Sequence, residues 1–189
     1  MGGLNYYPFY VDSFSTRPNL TQPAHLPRQN ISNGKAGLGG VLKDEEGELI
    51  MAFSVPIECS NQNETEAKAT WYGCKWCIQN GYTNLSIELD SSLIVGLLTD
   101  AKASSFKLNK VIEDTSALLR QATVRFTHCY REANQLVDWL ATMAMNSQAS
   151  NTYVSYQQLP KGEKGPFLMD KRQIPNIRSK FDKANFYVS

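Results

Sequence analysis

Four residues stand out for the chemistry they could perform together. His128 closes a β-rich run, ATVRFTHC, and ten residues later Asp138 stands inside the amphipathic stretch NQLVDWLATM. Leu136, Leu140 and Met143 recur there at three- and four-residue spacing, which predicts one apolar helix face with Asp138 near its edge. An aspartate in that position is costly unless a charge meets it. A metal ion would meet it, and two upstream carboxylates sit where they could help hold one. Glu66 falls in the first turn of a predicted helix (NETEAKA), and Asp90 follows directly on a predicted strand (SIELDSS). Strand ends and helix starts converge at one edge of an α/β sheet, so Glu66, Asp90 and Asp138 can share a site. Their hard oxygen donors suit Mg²⁺ or Mn²⁺. Two such ions about 4 Å apart would clamp the attacking and leaving oxygens of a phosphodiester. His128 is placed to pass a proton near the leaving group.

Taken singly, each residue has a plainer reading. Glu66 could be a solvated helix residue, Asp90 a cap for the helix at Ser91, Asp138 a partner for Arg131, and His128 a surface histidine. Asn63 reads as a helix N-cap, and Trp71, Trp76 and Trp139 read as core. Cys74-Lys75-Trp76-Cys77 sits in the middle of a helix with no second cysteine pair, so it predicts packing and not redox or zinc chemistry. What favours the functional reading is the order and spacing of the carboxylates.

The elements that must position them follow from periodicity and punctuation. NYYPFYVDS has strand composition, although Pro8 argues against a central place in a sheet. The prolines at 18, 23 and 27 make 16–34 an extended loop. Leu38 to Lys43 and Glu48 to Ile57 predict a hairpin turned at Asp44-Glu45-Glu46-Gly47. Gly37, Gly39 and Gly40 predict close approach by another backbone or a ligand. A helix is expected over 64–80, stopped by Gly81, with Ala67, Trp71, Cys74 and Ile78 as its buried stripe. A strand at 84–89, helices at 91–98 and 108–121, a strand at 122–129 and the Asp138 helix complete an α/β layered domain. After Ser150 the helical pattern stops, and a basic tail with seven Lys/Arg against three acids is expected.

The length of 189 residues suits one domain with tails. No apolar run reaches the roughly 20 residues of a membrane-spanning helix, and MGGLNYYPFY has neither half of a secretory leader. Gly2 is not followed by the Ser or Thr that myristoylation wants, because Tyr6 stands there. Four cysteines without such a leader predict free thiols in an intracellular setting, nuclear or cytoplasmic.

In combination, AGLGGVLKDEEGEL, NQNETEAKA, SIELDSS and HCYREANQLVDWLA resemble the type 1 ribonuclease H domain, in particular its plant, retroelement-derived reverse-transcriptase-like branch. The resemblance spans about residues 33–146, and LPKGEKGPFLMDKRQIPNIR resembles tails of that branch. It implies a ribonuclease H-like fold, a five-stranded mixed sheet flanked by helices. It also implies an enzyme that hydrolyses the RNA strand of RNA–DNA hybrids with two Mg²⁺ or Mn²⁺ ions, working as a monomer away from membranes. By the same resemblance Glu66, Asp90 and Asp138 are metal ligands, His128 is the family's mobile-loop histidine, and Asn63 touches the nucleic acid near its minor groove.

One family feature is missing from its usual place. The first strand of that fold ends in an aspartate shortly before the Gly-rich strand, and AHLPRQNISNGKAG holds none. Two readings follow. Either NYYPFYVDS supplies the strand and Asp12 the carboxylate, with an enlarged hairpin loop between, or the first ligand is lost and the chain is a catalytically impaired nucleic-acid-binding module. The expected organisation is an irregular segment 1–32 with a strand at 5–13, a ribonuclease H-like domain over 33–148 and a basic tail over 149–189.

Overall fold

The computed structural model describes residues 7–15, 34–59, 61–100, 106–128 and 135–171, the first of these as backbone. Six strands are present: β1 (Tyr7–Ser15), β2 (Lys35–Lys43), β3 (Leu49–Glu58), β4 (Asn84–Leu89), β5 (Thr123–His128) and β6 (Asn151–Tyr153). They form one mixed sheet in the order β5-β4-β1-β2-β3-β6. Neighbours β1, β2, β3 and β6 run antiparallel, while β4 and β5 run parallel to β1. The helices are α1 (Gln62–Gln79), α2 (Ser92–Asp100), α3 (Phe106–Leu119), α4 (Gln135–Ser147) and α5 (Lys161–Lys171). A sheet of five strands with one three-residue strand added at its β3 edge is thus the expected ribonuclease H-like architecture.

Contrary to the sequence expectation, the strand bearing Pro8 is central. β1 lies between β4 and β2, and Pro8 is tolerated because it stands at the second position, one residue before pairing with β2 begins at Phe9. Proline removes one backbone donor, which matters only where both neighbours draw on the ladder.

The two faces of the sheet bury separate cores. On one face Leu38, Leu42, Met51, Phe53, Leu85 and Ile87 pack against α1, α2 and α3. On the other, Val41 and Ala52 meet Leu136, Val137 and Leu140 of α4, together with Leu159 and Phe167 from the C-terminal segment. That segment corrects the expectation of a tail without helix: 151–171 contributes β6, a 3-10 turn at Tyr156–Gln158 and α5. Gly162, Gly165 and Pro166 erase the helical signature locally, and burial of Phe167 supplies what propensity lacks. Residues 16–33, from the stretch expected as an extended loop, and residues 172–189 lie outside the described residues.

Helix α1 also differs in detail. Asn61, not Asn63, is its N-cap, with Oδ1 accepting from the N–H groups of Asn63 (3.0 Å) and Glu64 (3.4 Å). The helix therefore starts earlier, and Glu66 lies in its second turn instead of the first. Its buried face is made of small residues, Thr65, Ala67, Ala69, Thr70, Gly73, Cys74 and Cys77, while Trp71 and Ile78 are only half-buried. Small side chains let the helix sit close to the sheet, and the large ones close the seam at its sides: Trp71 lies under the Lys75 ammonium at 4.8 Å, and Trp76 stacks on Tyr82 at 5.8 Å. Cys74 and Cys77 are free and buried. Burial pushes the Cys77 thiol up to about 12 and raises Cys74 well above its ordinary value, with Cys77 beside it adding to the effect. Neither is poised to be a thiolate, as the mid-helix position implied.

Candidate active site

Topology brings the chemistry-bearing residues to one edge of the sheet. Strands β1, β4 and β5 are parallel, so their C-terminal ends lie together. β3 runs in the same direction, since it is antiparallel to β2 as β1 is, and α1 starts where β3 ends. The start of α4 returns after β5 at the same edge. Register then sets the neighbours. Val11 pairs with Leu89, so Asp12 and Asp90 occupy the next position on adjacent strands. Leu89 pairs with His128 on the other side. Three adjacent strands thus carry Asp12, within β1, Asp90, just past the end of β4, and His128, the last residue of β5.

Each flanking helix adds one carboxylate, and from opposite faces. Glu66 on α1 is 6% exposed, and its Oε1 accepts a hydrogen bond from the Gln62 amide at 3.1 Å. Sequence reasoning missed Gln62, although its four-residue spacing from Glu66 on one helix was the signal. Asp138 on α4 is half-buried, between the buried Val137 and the 36% exposed Trp139. Trp139 was expected in the core; it lies instead on the outer side of α4, because Leu136, Val137, Leu140 and Ala141 already fill the inner side.

The position of α4, and with it Asp138, depends on two glycines. A Cβ on Gly37 would fall on the Ala141 carbonyl oxygen, and one on Gly39 would lie 2.5 Å from the Val137 carbonyl oxygen. The helix backbone therefore rests directly on β2, and Ser54 of β3 donates from Oγ to the Leu140 carbonyl at 2.8 Å. The approach anticipated at Gly37 and Gly39 is by a backbone. Gly40 instead makes room for the Phe53 ring on the opposite face.

His128 is exposed at the last position of β5, and its Nε2 lies 3.1 Å from the backbone oxygen of Asp90. A carbonyl only accepts, so Nε2 carries the proton. The residue is thereby attached to the strand end that bears Asp90. The helix after Asp90 takes a cap from Ser91, whose Oγ accepts from the Ile94 N–H at 3.3 Å. Asn63 is exposed in the first turn of α1. Arg131, the alternative partner weighed for Asp138, and Cys129 lie outside the described residues. Lys110, in the second turn of α3, is bound to Asp114 at 3.1 Å.

The donor set fits a hard divalent cation in kind: carboxylate oxygens at a sheet edge, with the Cys74 and Cys77 thiols buried in the middle of α1. Among the described residues no three His, Cys, Asp or Glu side chains form a metal-binding group on their own.

Comparison with known proteins agrees with this fold. Residues 29–144 match the reverse transcriptase-like family. A protein of Arabidopsis thaliana, provisionally named a ribonuclease H protein, is 32% identical over 114 residues, covering 60% of this chain and 18% of the relative. Ribonuclease H1 of the archaeon Halobacterium salinarum superposes with a TM-score of 0.63 at 22% identity, over 75% of this chain and 98% of that one. The compost-derived LC11 ribonuclease H1, solved with an RNA/DNA hybrid, gives 0.62 at 20% identity, again over 75% and 98%. With the family match extending over more than half of its length, on a ribonuclease H fold, this chain belongs to the reverse transcriptase-like family.

Proposed function

We propose that the chain is a metal-dependent endonuclease that hydrolyses the RNA strand of RNA–DNA hybrids. The observation that carries this reading is the register of β1 against β4, which sets Asp12 beside Asp90. On this reading the first carboxylate of the site is not lost; it is Asp12, separated from β2 in sequence by a long connection while pairing with it in the sheet. Asp12, Asp90, Glu66 and Asp138 would hold one or two Mg²⁺ or Mn²⁺ ions. When bound, such ions activate water and stabilise charge on the attacking and leaving oxygens of a phosphodiester.

The protein's own residues do the rest. The four carboxylates come from two strands and two helices, so the rigid sheet fixes their spacing. The Gln62 amide orients Glu66, and the backbone seat on Gly37 and Gly39 fixes Asp138. His128, tethered at Asp90, can give a proton to the departing oxygen. Asn63 is exposed beside Glu66, where it can reach the 2′-hydroxyl side of a hybrid. We further place the protein inside the cell, acting as a monomer.

The test is cleavage of an end-labelled RNA–DNA hybrid with Mg²⁺ or Mn²⁺, with binding measured in parallel across salt concentrations. Asp12→Asn, Asp90→Asn and Asp138→Asn should each lower cleavage by roughly 100-fold or more, beyond the loss typical when a metal ligand's supporting partner is removed. Unchanged cleavage in Asp12→Asn alone would remove Asp12 from the site. Hybrid binding without cleavage by the intact chain would replace the enzyme with the catalytically impaired binding module.

A further inference from the structure

The segment Asn151–Lys171 lies beyond the residues that match the family, yet it completes the core beneath α4. Leu159 and Phe167 share one buried cluster with Leu136 and Val137, the two residues that precede Asp138. β6 fastens the segment to the sheet through Ala52, Phe53 and Ser54 of β3. α5 itself is a poor helix on its own account: eleven residues, with Gly162, Gly165 and Pro166 inside it. Helices this short are marginal in water even with good formers, and an internal proline weakens them further. Its helicity therefore depends on docking.

One residue in that docked surface is out of keeping with an apolar seat. Glu163, one turn before Phe167, is 2% exposed, and its Oε2 has no hydrogen-bond partner among the described residues. We propose that Asn151–Lys171 is a pH-responsive brace: seated while Glu163 is neutral, it holds the first turn of α4 and so positions Asp138, and it loosens when Glu163 ionises.

Several titratable groups meet α5. Lys43 of β2 lies 5.7 Å from the Phe167 ring. Tyr153 of β6 has its phenol raised, first by burial and then by the Glu163 charge. Tyr156 packs on Phe167 at 5.6 Å and lies under Lys164, which donates to the Gln157 carbonyl; Lys161 shares the first turn. Desolvation dominates at Glu163 and raises its carboxyl from 4.5 to about 7. A raised folded-state value means that seating is complete below the unfolded value, weakens between the two values, and levels off above the folded one.

The proposal rests on Asp138 being part of the site, and hydrogen–deuterium exchange on the whole chain tests it independently of cleavage. After correction for intrinsic exchange, protection of 161–171 should fall by roughly tenfold or more between about pH 5 and about pH 7.5. Glu163→Gln should hold the same protection at both, and Phe167→Ala should show little at either. Protection of 135–141 should move with that of α5 in every case, and Mn²⁺ affinity by calorimetry at the higher pH should be greater in Glu163→Gln than in the parent. Protection of α5 that ignores pH, or an α4 first turn unmoved when α5 is released, would overturn the brace. Should Phe167→Ala not fold, the parent and Glu163→Gln decide between these outcomes. Coupled exchange in a chain that cleaves nothing would leave the brace standing and sink the nuclease reading alone.

Discussion

The two helices that bring a carboxylate from either face of the sheet are held in different ways. α1 meets its face of the sheet with side chains: small residues interlock with Leu38, Phe53 and Leu85, and an asparagine cap fixes its start. α4 meets the opposite face with its backbone, lying on two residues that have no side chain at all. Side-chain packing is adjustable, because neighbouring rotamers can share a change of volume. A helix resting on glycines has nothing to adjust, and a single methyl must displace the whole helix or the strand. The site therefore has one compliant wall and one stiff wall, and Glu66 and Asp138 should respond differently to perturbation.

Breaking the stiff wall should have the largest effect. Gly37→Ala puts a methyl onto the Ala141 carbonyl, and a cost of about 3 kcal/mol is expected, the upper end for overpacking. Urea unfolding measures it. A loss below about 1 kcal/mol would mean that α4 slides freely, and the contrast between the helices would fail. Hybrid cleavage should fall further than the fraction folded, since Asp138 moves with the helix. On the compliant wall, Asn61→Ala removes the acceptor for two α1 N–H groups, with about 1 kcal/mol expected. Because α1 and α4 lie on opposite faces, the costs of Gly37→Ala and Asn61→Ala should add within about 0.5 kcal/mol in the double variant. The smallest effect is expected at the Lys68–Glu64 pair, 2.8 Å apart on the outer part of α1. Lys68→Ala should cost a few tenths of a kcal/mol, approximately the value of an i,i+4 pair, and less in high salt.

Some of this was legible in the residues. The turn at Asp44–Gly47, the strand at 84–89 and the end of α1 at Gly81 were readable because each is fixed by local chemistry: alternation, a capping glycine, a turn former. Glycines 37 and 39 announced a close approach without saying by what, since the partner lies about a hundred residues away in the chain. Helix α5 was illegible for the opposite reason. Its own sequence argues against a helix, and the argument for one comes from Val41, Leu136 and the other residues Phe167 packs among.

By itself the sequence determined the inventory: which carboxylates exist, that Asp90 follows a strand, that Glu66 and Asp138 lie near helix starts, and that His128 precedes Asp138 by ten residues. It also determined the periodicities from which the helices and most strands form, since those depend on neighbours within a few positions. Only the tertiary structure decided which strand is central, because a strand's place in a sheet is set by pairing between distant segments, not by its own composition. That choice put Asp12 beside Asp90 across a connection of 19 residues between Ser15 and Lys35. Closing such a loop carries only a slowly growing entropic cost, and burial on both faces of the sheet outweighs it.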